Sequence, residues 1–239
     1  MYCHESEHYI FHCEAGSRAE QNMERIAATQ EAAYRHITAM LGVSMSGKIH
    51  YHFYNSREEV GRECERRFGE YTPHNGCAVS DNEILAVYND EIQCTGVHED
   101  THILMGTLGY MESAFLEEGA ACAMCGLWWG LDNHAWVSFY RKKGVCPSVR
   151  DLLLLSWTDF HALAECIAYP LAGSFVSYLL MRFGKERFCE FYTAEDYDRD
   201  AKRVLGSSLA ELEADYFRHL ELLRYDEAVY GRIAELIEE

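Results

Sequence analysis

Hydrophobic and polar positions repeat with two different periods along the chain, and the period changes near residue 91. Before that point, "HYIFHCEA" (8–15) and "KIHYHFY" (48–54) are rich in aromatic and β-branched residues, which predicts strands. "GCAVS" (76–80) and "EILAVYN" (83–89) predict two shorter strands joined by a tight turn. The first part of the chain therefore contains the strands of a small sheet.

The other periodic segments predict helices. One helix is expected between the start signal Ser17 and the stop signal Gly42, and a second over 55–69, capped by Asn55 or Ser56. Further helices are predicted over 92–105, 113–128, 150–156, 161–168, 171–183, 185–193, 207–222 and in the acidic tail.

These elements predict a single α+β unit of 239 residues made of two lobes. A small N-terminal mixed sheet with its helices, over about 1–91, leads into a mainly helical C-terminal lobe over about 92–239. We expect the active site in a cleft where the two lobes meet.

Composition narrows the possible partners and the compartment. With 21 Lys and Arg against 39 Asp and Glu, the formal charge of -18 disfavours nucleic acid and anionic membrane surfaces. The start "MYCHESEH" has no signal-peptide pattern, and the apolar runs "AACAMCGLWWGL" and "DLLLLSW" are too short to span a bilayer. We expect a cytoplasmic protein whose ten cysteines are reduced.

The most specific chemical signal is "GVHEDTHILMG" (96–106), which has the HExxH pattern. In a helix, His98 and His102 lie one turn apart on the same face and can hold one metal ion between them. Glu99 then lies beside the ion without ligating it, where it can handle a proton of the attacking water.

The pattern alone is not decisive, because 12 histidines and 28 glutamates make a chance HExxH plausible. A catalytic zinc needs a third protein ligand, and a glutamate completes one of the known sets. The segment "FLEEGAA" (115–121) offers Glu118 on a second predicted helix. Glu117 and Glu112 compete with Glu118 for the third position.

HExxH followed by an aromatic-Leu-x-Glu-Gly-x-Ala segment resembles the gluzincin metallopeptidases, in particular the peptidase MA-like group related to the gluzincin aminopeptidases. The resemblance continues into "YPLAGSFVSYLLMRFGKERFCEFY" (169–192) and covers about 9–193. It implies a zincin-like fold and one zinc ion per chain, held by His98, His102 and Glu118.

The resemblance also implies a function, that of a zinc metallopeptidase hydrolysing a peptide or protein substrate with a zinc-activated water. Glu99 is expected to be the general base. Tyr169 matches the tyrosine that stabilises the transition state in related aminopeptidases, with one extra residue before the glycine, and is expected to be catalytic.

Two departures from the family pattern bear on these expectations. Val79 stands where aminopeptidases have the acid that holds the substrate amine, which puts exopeptidase action in question unless Asp81 or Glu83 substitutes. Cys122 stands where some gluzincins have an acid that orients a zinc-ligating histidine. The edge strand can still pair with an extended peptide by strand addition.

Two other classes of protein compete with a peptidase. One is an inactive zinc-binding protein of zincin fold that uses its cleft to recognise a partner or peptide. The other is a structural α+β protein with a chance motif, which the Glu118 segment disfavours. Glu99 favours the enzyme, since a purely structural metal site needs no base. The remaining histidines are predicted to be structural: His4, His8, His12, His36, His50, His52, His74, His134, His161 and His219.

Overall fold

The computed structural model describes residues 1–109 and 111–238 and shows a mixed α+β protein. The chain groups into two compact units, Met1–Thr107 and Leu108–Glu239. The first contains the small N-terminal sheet and the second is mainly helical, which confirms the α+β class. The boundary falls after residue 107 rather than near 91, so the helix carrying HExxH belongs with the sheet.

The first unit is built on a five-stranded mixed sheet with the order β1-β2-β3-β5-β4. Its strands are β1 (Tyr2–Glu5), β2 (Tyr9–Cys13), β3 (Ile49–Tyr54), β4 (Gly76–Ser80) and β5 (Glu83–Val87). β2, β3 and β5 are parallel, and β1 and β4 pair antiparallel at the two edges. The predicted mixed sheet is therefore confirmed, with β4 at an edge.

Strand β1 is absent from the prediction, because its four residues, YCHE, contain no apolar run. It pairs with β2 through the register Tyr2 to Cys13. The alternation in β2 and β3 places Tyr9, Phe11 and Tyr51 on one fully buried face. This aromatic face forms the core of the first unit, because large rings bury the most apolar area per residue.

Four helices complete the first unit: α1 (Arg18–Gln21), α2 (Met23–Leu41), α3 (Arg57–Phe68) and α4 (Val97–Gly106). The Ser17 side chain accepts a hydrogen bond from the Glu20 N–H, and Gly42 ends α2 in the left-handed conformation with φ of 74°. Both predicted ends are confirmed, although the segment breaks into two helices at Asn22.

The second unit contains nine α-helices and a short hairpin within its described residues. The helices are α5 (Ala114–Cys125), α6 (Asn133–Lys143), α7 (Val149–Leu153), α8 (Trp157–His161), α9 (Glu165–Phe183), α10 (Lys185–Tyr192), α11 (Tyr197–Asp200), α12 (Leu209–Leu222) and α13 (Glu227–Glu238). The hairpin pairs β6 (Leu127–Trp128) with β7 (Leu131–Asp132), and a π-helical turn spans Ala201–Leu205.

Several predicted boundaries in this unit are wrong. No helix was predicted over α6, although Asp132 caps it by accepting from the His134 N–H and Gly144 ends it. The predicted helix over 161–168 does not exist as one element, because α8 ends at His161 and α9 begins at Glu165. Short helices of this kind depend on packing more than on propensity.

Helix α9 is long and apolar enough to cross a membrane by length and composition, although the apolar runs quoted from the sequence lie elsewhere. Of its 18-residue apolar window, 56% is buried inside the protein. The core helix of a soluble protein passes the same test.

Candidate metal centre

Helix α4 carries the HExxH pattern, and the residue just before the helix is fixed by a side chain of α2. Gly96 precedes the helix with φ of 115°, a conformation that favours glycine. The Gly96 N–H donates to Gln30 Oε1 at 2.6 Å, and Gln30 Nε2 donates to the Gly96 carbonyl at 3.1 Å. Gln30 thus satisfies the N–H of the residue that precedes α4, a helix without a side-chain cap.

A fully buried carboxylate, Asp100, fixes the other face of α4. Its Oδ2 lies 2.5 Å from the Tyr9 hydroxyl and 3.0 Å from Gln30 Nε2, and its Oδ1 accepts from the Tyr51 hydroxyl at 2.9 Å. Burial raises the pKa of Asp100 to about 7, against the hydrogen bonds from the tyrosines, which lower it. Because Asp100 faces β2 and β3, the histidines on either side of it in sequence are turned away from the core.

The Tyr9→Phe substitution tests this anchor. The hydroxyl has one proton and two nearby acceptors, Asp100 and the Gln30 carbonyl at 3.0 Å, so its loss leaves a buried carboxylate short of a donor. We expect a loss of about 1–3 kcal/mol in the free energy of unfolding, measured by urea denaturation. Tyr54→Phe, on a half-buried residue of β3, is the control. Equal destabilisation of the two variants would contradict the anchoring role.

His98 and His102 lie on the partly exposed face of α4, with ring centroids 5.0 Å apart at an angle of 78°. Glu99, between them in sequence, accepts a hydrogen bond at Oε2 from the Ala78 N–H of edge strand β4 at 3.1 Å. A Cβ at Gly76 would clash with Cys94 Sγ and lie 3.3 Å from Glu99 Oε1, so glycine at that position leaves room for both side chains beside β4. The general-base candidate is therefore oriented by the backbone of an edge strand.

In the second unit, α5 presents Glu118 and Glu117 differently. Glu118 is buried with a relative exposure of 8%, whereas Glu117 is half-buried and Glu112 is exposed. The glycine that follows Glu118 is a packing residue, because a Cβ at Gly119 would lie 2.9 Å from the Ala172 carbonyl oxygen of α9. Close packing of α5 on α9 accounts for Gly119 independently of any chemistry.

Glu118 has a partner that the sequence analysis missed. His161 Nε2 lies 3.2 Å from Glu118 Oε1, and His161 Nδ1 lies 2.9 Å from the carbonyl oxygen of Trp157. The hydrogen bond to Glu118 raises the pKa of His161, against the lowering effect of burial. No spacing rule connects the two residues, which are 43 positions apart.

Two groups of three side chains among the described residues have ligand atoms close enough to share an ion. In the first, the ligand atoms of His98, His102 and Glu118 all lie within 4.8 Å of one another. Tetrahedral ligands about 2.1 Å from zinc lie about 3.4 Å apart, a separation that falls inside this limit. Two imidazoles and one carboxylate also form a donor set that catalytic zinc sites use.

The second group consists of Glu7, His8 and Glu31, and hydrogen bonds join the last two. Glu31 accepts from His8 Nδ1 at 2.7 Å, from the His8 N–H at 2.8 Å and from the Ser6 hydroxyl at 2.6 Å. Arg35 lies 3.9 Å from the same carboxylate and supplies a positive charge. The cluster joins α2 to the turn between β1 and β2, and a cation would have to displace these partners.

Tyr169 lies in the second turn of α9 and is half-buried among aromatic rings. Its ring centroid is 5.1 Å from that of Trp128 and 5.9 Å from that of Phe160. Pro170, the next residue, lacks an N–H, and the Cys166 carbonyl one turn earlier accepts from the Tyr140 hydroxyl at 2.9 Å instead. Tyr169 is thus well packed, and its catalytic role stays a prediction.

The two departures from the family pattern can now be located in the structure. Glu83, one proposed substitute for the missing acid, is engaged by Arg67 at 2.6 Å and by His52 at 2.8 Å, whereas Asp81 is exposed in the turn before β5. Cys122 is buried where α5 packs on α9. The packing is close, since a Cβ at Gly173 of α9 would lie 2.6 Å from the Cβ of Cys122.

Three of the other histidines form a stack on the sheet. The rings of His12 and His52 are 4.5 Å apart, and those of His12 and His50 are 5.7 Å apart. Burial lowers the pKa of His52 to about 4, and the neighbouring Glu83 only partly opposes this effect because Arg67 neutralises it. His52 is therefore a neutral packing element near pH 7.

Comparison with known proteins adds no family to this geometry. No protein-family model matches the chain, and no curated protein matches it.

Proposed function

We propose that this chain is a zinc-dependent metallopeptidase of gluzincin type, with a zincin-like fold and one zinc ion held by His98, His102 and Glu118. The observation that carries the proposal is the grouping of these ligand atoms within 4.8 Å of one another. The HExxH spacing alone predicts two of the ligands. The peptidase MA-like resemblance adds the third and accounts for the glutamate beside them.

The choice of Glu118 over its competitors is supported by burial. A buried carboxylate costs free energy unless it is paired or binds a metal, whereas an exposed one does not. Glu118 is 8% exposed, Glu117 is half-buried and Glu112 is exposed. Glu118 is also the only one of the three in either candidate group among the described residues.

Zinc, when bound, supplies a Lewis acid that acidifies water and polarises a carbonyl. In the proposed reaction Glu99 accepts a proton from the attacking water and returns it to the leaving amine. We assign this transfer to Oε1, because Oε2 is engaged by the Ala78 N–H at 3.1 Å. Tyr169 is proposed to donate a hydrogen bond from its hydroxyl to the developing oxyanion.

The substrate proposed is an extended peptide or an unfolded segment of a protein. Strand β4 lies at the edge of the sheet, and an edge strand can pair with a peptide through main-chain hydrogen bonds. Glu99 contacts this strand at Ala78, so a peptide added to β4 would run past the general base. Because the formal charge is -18, we propose that the chain acts on neither nucleic acid nor membranes. The proposed compartment is the cytoplasm.

A peptide-library digest tests the proposed activity. Zinc-loaded protein is expected to produce fragments detectable by mass spectrometry, chelation to abolish them, and added zinc to restore them. The chelated protein is the matched control, since it has the same sequence. Cleavage that persists without metal would contradict the proposal, and zinc binding without any cleavage would favour the alternative of an inactive zinc-binding protein.

A further inference from the structure

We propose that His161 is a positioning residue for the metal centre, which holds the Glu118 carboxylate by one oxygen so that the other faces the ion. This inference rests on the proposed function and adds a residue that neither the HExxH motif nor the resemblance contains. It starts from the 3.2 Å contact between His161 Nε2 and Glu118 Oε1.

Helix α8 is a short element whose position is fixed by a single buried ring. Ser156 caps it by accepting from the Asp159 N–H. Phe160 is fully buried. Its ring centroid lies 6.2 Å from that of Phe115 in α5 and 5.9 Å from that of Tyr169 in α9. Phe160 thus anchors α8 to both helices, and the next residue, His161, is carried to the carboxylate of α5.

The ring of His161 is held at both nitrogens. Nδ1 faces the Trp157 carbonyl oxygen at 2.9 Å, and because a carbonyl has no proton, Nδ1 must donate. Nε2 faces Glu118 and donates to Oε1. The Trp157 ring lies 5.0 Å away and covers one side of the imidazole. A ring fixed in this way directs its second N–H at one carboxylate oxygen.

A buried carboxylate on a flexible side chain binds a metal better when its orientation is set in advance. Hydrogen bonds from outer-shell groups do this for metal ligands, and losing one costs about 10–100-fold in affinity or activity. Glu118 Oε1 is bonded to His161, and we assign Oε2 to the ion. His161 therefore acts on the metal only through Glu118.

The test measures the zinc dissociation constant of the whole chain by competition with a chromophoric chelator. His161→Phe keeps an aromatic ring but removes both N–H donors, and His161→Gln retains an amide N–H near the position of Nε2. We expect about 10–100-fold weaker zinc binding for His161→Phe and less than about 3-fold for His161→Gln. His36→Phe, at an exposed position of α2, is the control and should bind zinc like the wild type.

Zinc affinity unchanged in His161→Phe, or equally weakened in both His161 variants, would overturn the positioning role. Failure of the proposed function is recognised separately, because the wild-type chain would then either bind no zinc or bind zinc without cleaving any peptide. The unfolding midpoint of each metal-free variant is the second readout. Matching midpoints show that the two variants fold equally well. A larger loss of zinc affinity in His161→Phe than in His161→Gln then reports the missing N–H donor and not a loss of structure.

Discussion

Replacing Glu99 by glutamine is expected to lower kcat/KM for peptide hydrolysis by about 10²–10⁴-fold, the usual contribution of a general base. Glutamine has the same shape, and its carbonyl oxygen can still accept from the Ala78 N–H that holds Glu99 Oε2 at 3.1 Å. The amide cannot take a proton from water at neutral pH. The variant should therefore keep its fold and its zinc while losing turnover.

Two measurements make this result interpretable. Zinc content by atomic absorption and the unfolding midpoint should match the wild type, so that lost activity reports chemistry alone. Glu112→Gln, at an exposed position, is the control and should retain full activity. Wild-type turnover by Glu99→Gln would remove Glu99 as the base and leave the chain without a proton acceptor in the proposed reaction.

Replacing Glu118 by alanine is expected to weaken zinc binding by more than the ~100-fold that loss of an outer-shell partner costs, because a direct ligand is removed. Glu117→Ala is the matched control on the same helix turn and should bind zinc like the wild type. The two residues are adjacent and chemically identical, but only Glu118 is buried. Equilibrium dialysis against buffered zinc measures both affinities.

Because Glu118 is buried, Glu118→Gln serves as a second variant that fills the same space. It should fold like the wild type and still bind zinc more weakly, since a neutral amide is a poorer zinc ligand than a carboxylate. The reverse pattern, in which Glu117→Ala loses zinc and Glu118→Ala keeps it, would show that the third ligand was assigned to the wrong acid.

Local sequence signals predicted the features that depend on neighbouring residues. The ends of the first helical segment at Ser17 and Gly42 are visible as a cap and a stop, and both lie where expected. His98 and His102 share a face of α4 because their spacing matches one helical turn.

Features that depend on distant residues could not be predicted in this way. Asp100 reads as a surface residue of a helix, yet it is fully buried because Tyr9, Gln30 and Tyr51 supply its donors from other elements. His161 appeared to be structural because its partner Glu118 is far away in sequence. Such pairs are set by packing, which a single sequence does not display.

Some local signals were present but pointed to the wrong element. The segment before α6 was predicted to continue a helix to residue 128, whereas α5 ends at Cys125 and a hairpin follows. Its turn places Trp129 at φ of 47°, a conformation that a tryptophan seldom adopts. The Trp129 ring centroid lies 5.8 Å from that of the buried Trp136, a tertiary contact between residues seven positions apart that helix periodicity does not predict.

The zinc content of wild-type chain purified without chelator tests the central claim most directly. The account predicts about one zinc ion per chain. In a crystal, diffraction data collected at the zinc X-ray absorption edge should show anomalous density between His98, His102 and Glu118. A chain that contains no zinc and cannot be loaded with it, or density at other residues, would contradict the account.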